Sequence, residues 1–176
     1  MAERGAYRFH AVEDRLMDNS GLRSTAFRVG RRAAMGRRLL LLASLASIAV
    51  AILHTVGNLN TAPVDAAQAS LQQAMQAYHF SLGMGMTPSA WDILRSLTFT
   101  MSVCLAGIGL VGIVLTGDPD VSLQTMHRIS VMLTAVFAGL TAIYAVFRIP
   151  PPLVTLGFVM LLYLICAVMT RAPAAD

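Results

Sequence analysis

Several side chains that could bind a ligand lie near the same end of the chain's apolar segments: His54, Asn58, His79, Asp92, Arg95, Tyr144 and Arg148. Ionisable groups at membrane depth are costly and often mark functional sites. The sequence therefore predicts a small-molecule or cofactor site here, in which His54 is a ligand or donor and Asp92 orients it. Asn58, Tyr144 and Arg95 complete this predicted site. A quinone, a pigment or copper are alternative ligands, and the cofactor is left open.

The same residues also have structural interpretations. Ser89 and Asp92 have the spacing of a capping box, in which each side chain binds the other's backbone N–H. Asp92 and Arg95 can pair on one helix face, and Arg148 can extend its guanidinium to lipid headgroups. His54 can form a hydrogen bond with a neighbouring helix. The sequence is compatible with both interpretations.

A second candidate site is rich in sulfur. Met75, His79, Met84 and Met86 lie close together in one connecting segment. Thioether and imidazole groups are suitable ligands for Cu(I), although methionine also fills gaps in apolar surroundings. These four residues are the predicted metal ligands.

Other chemistry is poorly supported. His54 lies about 15 residues into its helix, roughly 22 Å, and His127 about eight residues into its own, roughly 12 Å. That offset is too large for two axial ligands of one haem. Cys104 and Cys166 lie inside apolar runs, where we expect packing thiols. The sequence contains no Ser/His/Asp arrangement, phosphate loop, HExxH motif or carboxylate pair, which argues against an enzyme.

Apolar segments must position these groups. The chain is 56% hydrophobic and only 12% charged, whereas soluble domains are about a quarter charged. About 20 apolar residues cross a bilayer as a helix. We expect four such helices and one amphipathic helix on the outer membrane face; the spans cover about 38–59, 89–116, 119–147 and 152–170, and the amphipathic helix about 63–80.

Small residues predict where these helices touch, because they let backbones approach closely in lipid. The expected contact positions are Ala43, Ser47, Ala51 and Thr55 on the first span, and Gly107, Gly109 and Gly112 on the second. The inward stripe of the third span would be His127, Ser130, Thr134, Ala138, Thr141 and Ala145, with Asp118 as its cap and Pro119 as its first residue. The bulky fourth span should be the most exposed to lipid.

The first 38 residues form a basic arm that contains nine of the 13 arginines. Apolar residues at helical spacing predict a helix over about 6–17, which ends at Asn19-Ser20-Gly21. The arm would bind anionic lipid or a partner protein, through Phe9, Arg28, Arg31 and Arg32. Nucleic acid is not expected, because the arm lacks a folded reader. Since residues 60–88 contain no arginine, both termini should be cytoplasmic.

Four short motifs resemble a family of small four-helix bacterial membrane proteins. They are His54-Thr55-Val56-Gly57, a Gln-rich helix, Trp91-Asp92, and Phe147 followed by Pro150-Pro151-Pro152. The resemblance covers about residues 40–170. It implies a four-helix membrane domain with His54, Trp91 and Asp92 at its outer end, and it implies no reaction. The arginine-rich arm is not part of the pattern.

The sequence thus predicts an all-α, four-helix transmembrane bundle, with a basic arm over 1–38 and the membrane domain over 39–171. The leading functional hypothesis is a non-catalytic accessory or assembly subunit of a larger inner-membrane complex. The alternative is the cofactor-binding protein described above.

Overall fold

The computed structural model describes residues 3–59 and 62–171, with side chains from Gly30 onward. This part of the chain contains five helices: α1 (Glu3–Leu59), α2 (Ala66–Ala77), α3 (Ala90–Gly117), α4 (Leu123–Val146) and α5 (Pro150–Thr170). Four segments are long and apolar enough to cross a membrane: Gly30–Leu59 within α1, and the whole of α3, α4 and α5. The predicted all-α fold with four spans and a short extra helix is confirmed.

Helix α1 is continuous from Glu3 to Leu59, so the predicted stop at Asn19-Ser20-Gly21 is wrong. Each of these residues costs at most about 1 kcal/mol in a helix interior relative to alanine, which is too little to end a helix. Helix α2 is shorter than predicted, and Asp65 caps it by accepting a hydrogen bond from the Gln68 N–H at 2.7 Å.

The spanning helices form an open row. Helix α1 packs against α3 on one side and against α5 on the other, and α4 packs mainly on α5. Within the described residues, α3 makes no close backbone contact with α4 or α5. Because α3 is held only by α1 and α2, a gap is left between α3 and α5.

Small residues bring α1 and α3 together, and Gly109 and Gly112 take part as predicted, but the α1 residue they meet is Ser44, next to the predicted stripe. A methyl group added at Gly109 would lie 2.6 Å from the Ser44 carbonyl oxygen, and one at Gly112 would collide with the Ser44 hydroxyl. Ala43, Ser47 and Ala51 are buried. Gly107 was expected to join this contact, but an added methyl there would meet nothing within 4 Å.

Helix α5 is better buried than the sequence suggests. In the most apolar 18-residue stretch of α5, 33% is buried, against 11% in the corresponding stretch of α4. The prediction that α5 is the most lipid-exposed span is therefore wrong. The reason is its place between α1 and α4. Tyr163 is fully buried there, stacks on Phe137 with ring centroids 5.5 Å apart, and has its hydroxyl 3.3 Å from that of Ser47.

The inward stripe of α4 also differs from the prediction. Ser130 is buried as expected, but its buried companions are Met126, Leu133 and Phe137. Of the predicted stripe, His127, Thr134, Ala138 and Thr141 are half-buried, and Ala145 is exposed. Large apolar side chains, rather than small polar ones, therefore fill the interface between α4 and α5.

Helix α4 begins at Leu123 with Ser122 as its cap, so the prediction of Asp118 and Pro119 as its start is wrong. The carbonyls of this connection bind Arg37 instead. The Arg37 guanidinium donates to the carbonyl oxygens of Asp118 and Pro119, both at 2.6 Å. Asp118 also accepts from the Asp120 N–H through its side chain. The 118–121 backbone is thus held in a non-helical turn against the start of the α1 span.

Candidate functional site

A cavity of about 400 Å³ lies between the helices, at the end where α3 begins and α4 ends. Its polar lining comes from His54, Asn58, Tyr144 and Thr155. The other lining residues are Val50, Leu53, Gly57, Met101, Leu105, Ile149, Pro151, Pro152 and Leu156. Four helices contribute to this wall, and the cavity occupies the gap that the open row leaves between α3 and α5.

Two of the predicted site residues come from the last turns of α1. Asn58 donates its side-chain N–H to the His54 carbonyl oxygen at 2.6 Å. Its side-chain oxygen is left available as an acceptor. Among the described residues, the His54 ring has no hydrogen-bond partner, and both residues are half-buried. His54 can therefore donate to or accept from a molecule in the cavity.

The third predicted residue, Tyr144, is positioned by the corner between α4 and α5. Arg148 has a positive φ of 54°, a left-handed conformation that often ends a helix. The Ile149 N–H then donates to the Tyr144 carbonyl at 3.0 Å. The chain turns at once into Pro151 and Pro152, which form the cavity wall. The Tyr144 hydroxyl has no hydrogen-bond partner in the described chain.

The other two predicted residues lie elsewhere. Neither Asp92 nor Arg95 lines the cavity. The Asp92 carboxylate accepts from the Ser89 N–H at 3.1 Å and from the Ser89 hydroxyl at 2.7 Å, which forms the predicted capping box of α3. The Arg95 guanidinium lies 5.8 Å from the Phe99 ring centroid, and its Nε is buried without a hydrogen-bond partner in the described residues. Asp92 is thus engaged in helix capping.

The predicted copper ligands lie in a short hairpin over residues 78–90 and on α2. His79 pairs with Ser89 across the hairpin, and its Nδ1 lies 2.9 Å from the Thr87 carbonyl oxygen. Met86 lies opposite Leu82 across the hairpin, so its side chain is on the other face from that of His79. Met84 lies at the tip and is 93% exposed. Met75 lies on α2. In this arrangement His79 and Met86 lie on opposite faces of the hairpin, so copper binding would require a rearrangement.

The remaining histidine and the cysteines have structural surroundings. His127 Nδ1 lies 2.8 Å from the Ala167 carbonyl oxygen, which ties α4 to α5 at the end of the bundle opposite the cavity. Cys166 is buried and accepts a hydrogen bond from the Ser130 hydroxyl at 3.2 Å, whereas Cys104 is exposed on α3. Both cysteines are free thiols.

Part of the predicted partner-binding arm falls outside the described side chains, namely Phe9 and Arg28. Arg31 and Arg32 are exposed at the start of the α1 span. The sequence interpretation missed two residues that matter. Arg37 was counted only among the nine arginines of the arm, and only the fold reveals the carbonyls around it. Gly57 lines the cavity, and its place one turn after His54 could have indicated this.

Comparison of the chain with protein-family models, curated proteins and solved structures returns no match. The fold and the four apolar helices define a multi-pass membrane protein. Any finer assignment rests on the geometry of the cavity and of the helix surfaces.

Proposed function

We propose that the protein is a non-catalytic membrane protein that binds an amphipathic small molecule in the cavity beside His54. The supporting observation is that residues far apart in sequence meet there: His54 and Asn58 of α1, and Tyr144 of α4. The volume of about 400 Å³ falls within the range of small-molecule sites, about 300–1,000 Å³. The wall contains no carboxylate, cysteine, serine or lysine, so binding is favoured over catalysis.

The chemistry of the wall favours a ring compound with oxygen acceptors and an apolar substituent, such as a quinone. The Tyr144 hydroxyl and the His54 ring can donate to ring oxygens, while the leucine, methionine and proline side chains contact apolar carbons. The gap between α3 and α5 gives a lateral path from the lipid. Asp92 has no part in this version of the site, because it caps α3.

Filling the cavity tests this proposal. Gly57 lines the cavity, and a methyl group added there would meet nothing within 4 Å, so Gly57→Leu should fold and occupy the ligand's space. Gly107→Leu is the matched control, since Gly107 is equally free of neighbours and does not line the cavity. We expect quinone extracted with the purified protein to be lost in Gly57→Leu and retained in Gly107→Leu. Equal retention in both variants would contradict the proposal.

A smaller change tests the proposed hydrogen bond from the Tyr144 hydroxyl to the ligand. Tyr144→Phe removes a hydroxyl that has no described protein partner, and Tyr163→Phe removes one outside the cavity that bonds Ser47. One hydrogen bond contributes about 0.5–1.5 kcal/mol, so quinone affinity should fall about 2- to 10-fold in Tyr144→Phe. Affinity in Tyr163→Phe should be unchanged.

An accessory or assembly role in a larger complex is the second candidate, and one helix surface favours it. Ala135, Gly139 and Ala142 lie on one face of α4, and all three are exposed. A methyl group added at Gly139 would meet nothing within 4 Å. Small residues permit close approach of another helix in lipid. This surface is therefore suited to a partner span, and the exposed Arg31 and Arg32 to a partner or anionic lipid.

Co-purification in a mild detergent tests this second role. Gly139→Leu should release a co-purifying membrane protein, whereas Met132→Leu, at an exposed position on the same helix, should not. A homogeneous monomer from the wild type would count against it. We further propose insertion in the inner membrane with both termini cytoplasmic, since nine arginines lie within residues 1–38 and none lies in 60–88. Labelling the cysteine of a Ser81→Cys variant, at an exposed position, from each side of the membrane would test this orientation.

A further inference from the structure

The segment between α2 and α3 forms a β-hairpin with a defined register. The Phe80 N–H donates to the Pro88 carbonyl at 3.0 Å, the Leu82 N–H to the Met86 carbonyl at 3.1 Å, and the Ala90 N–H to the Tyr78 carbonyl at 2.8 Å. The Met86 N–H closes the turn onto the Gly83 carbonyl. Met84 and Gly85, the central residues of the turn, have φ of 47° and 77°, as a type I′ hairpin turn requires.

This register divides the hairpin into two unlike faces, because side chains alternate along a strand. One face is polar and consists of His79, Ser81, Thr87 and Ser89. The other is apolar and consists of Tyr78, Phe80, Leu82, Met86 and Pro88. The Tyr78 and Phe80 rings contact each other edge-to-face at 4.9 Å, in agreement with a shared face.

The described protein leaves most of the apolar face uncovered. Tyr78 is 61% exposed, Leu82 57% and Met86 49%. Residues 78–90 contain no Asp, Glu, Lys or Arg, so contact with lipid would not bury a formal charge. The hairpin also continues directly into α3 at Ala90, the first residue of a membrane span. Trp91 follows, a residue type enriched at the membrane interface.

We infer that this hairpin is seated in the headgroup region of the bilayer, with its apolar face against the hydrocarbon and its polar face toward water. Its partner is the lipid surface, and the continuity with α3 fixes its depth. The capping box of Ser89 and Asp92 lies where the polar face joins the span, so the hairpin and the helix start are held together. This inference does not depend on a ligand in the cavity.

Quenching of tryptophan fluorescence by brominated lipid tests the inference in proteoliposomes of the full-length chain. Trp91 is the only tryptophan, so Trp91→Phe gives a silent background. In this Trp91→Phe background, Leu82→Trp reports the environment of the apolar face. Ser81→Trp, at the neighbouring position, reports the environment of the polar face. Leu97→Trp, at a position 63% exposed on α3, sets the quenching expected for lipid contact.

We expect Leu82→Trp to be quenched at least half as strongly as Leu97→Trp, and at least twice as strongly as Ser81→Trp. Equal quenching of Leu82→Trp and Ser81→Trp would overturn the inference, because the two faces would then share one environment. Weak quenching of both, with Leu97→Trp strongly quenched, would also overturn it and would indicate water or a covering protein. Far-UV circular dichroism of each variant should match the wild type.

Discussion

Alanine at Gly109 should loosen the contact between α1 and α3, whereas alanine at Gly107, half a turn away, should not. The new methyl at Gly109 would lie 2.6 Å from the Ser44 carbonyl oxygen and 2.5 Å from Ile48 Cγ1, where 3.4 Å begins ordinary contact. The shortfalls are 3.4 − 2.6 = 0.8 Å and 3.4 − 2.5 = 0.9 Å. Ile48 can rotate away, but the Ser44 carbonyl belongs to the backbone, so the helices must separate.

The expected loss of stability is estimated by comparing Gly109→Ala with Gly107→Ala. Each replaces a helical glycine, and alanine favours the helix by about 0.5–1 kcal/mol in both cases. That gain cancels in the comparison. What remains is the overpacking cost at Gly109, about 1–3 kcal/mol. Gly107→Ala should therefore match or exceed the wild type in stability, and Gly109→Ala should be less stable than both.

Thermal unfolding in a mild detergent, followed by Trp91 fluorescence, measures this difference. A chain of this size shifts in Tm by about 2–4 °C per kcal/mol, so we expect Gly109→Ala to melt several degrees below Gly107→Ala. A second pair tests the same contact: Gly112→Ala should be destabilising, and Ser44→Gly in the same chain should restore stability by removing the colliding side chain. The reasoning is refuted if Gly109→Ala is as stable as Gly107→Ala.

Three further predictions concern the ends of the helices. Arg37→Ala should lower the free energy of unfolding by about 1–2 kcal/mol, because it removes charge-assisted bonds to the carbonyls of the α3–α4 turn; Arg38→Ala, at an exposed position, should change it little in the same thermal assay. Ser89→Ala should cost about 1 kcal/mol by removing the cap of α3, and Ser89→Thr should largely retain stability in that assay. Gly36→Ala places a methyl 2.5 Å from Thr170 Cγ2, so its Tm should fall and be restored in a chain that also carries Thr170→Ser.

Length and composition were enough to predict the spans, because crossing a bilayer imposes a minimum apolar length. The capping box at Ser89 and Asp92 was also predictable, since it depends on two residues three apart. The start of α4 was not, because the carbonyls of 118 and 119 are bound by Arg37 from a helix about 80 positions earlier. No local pattern around Asp118 carries that information.

Only some of the predicted site residues meet in the cavity. His54, Asn58 and Tyr144 were selected because each is polar near one end of an apolar run, and the fold brings them to one cavity. Asp92 met the same criterion, but its own capping geometry engages it elsewhere.

The hairpin was missed because its polar and apolar alternation is interrupted by Gly83-Met84-Gly85. This stretch resembles a plain loop until the register is known.

The place of the cavity follows from where α1 makes its close contacts with the other spans. Close contacts with α5 and α3 occur at Gly36, Ser44 and Ser47, all of which precede Ala51. Beyond Ala51, the α1 residues Leu53, His54, Gly57 and Asn58 line the cavity instead. Helix α3, which among the spans is held by α1 alone, cannot close this end. One helix therefore both fixes the bundle at one end and leaves it open at the other, so that substitutions at Gly57 and at Gly109 should act on binding and on stability separately.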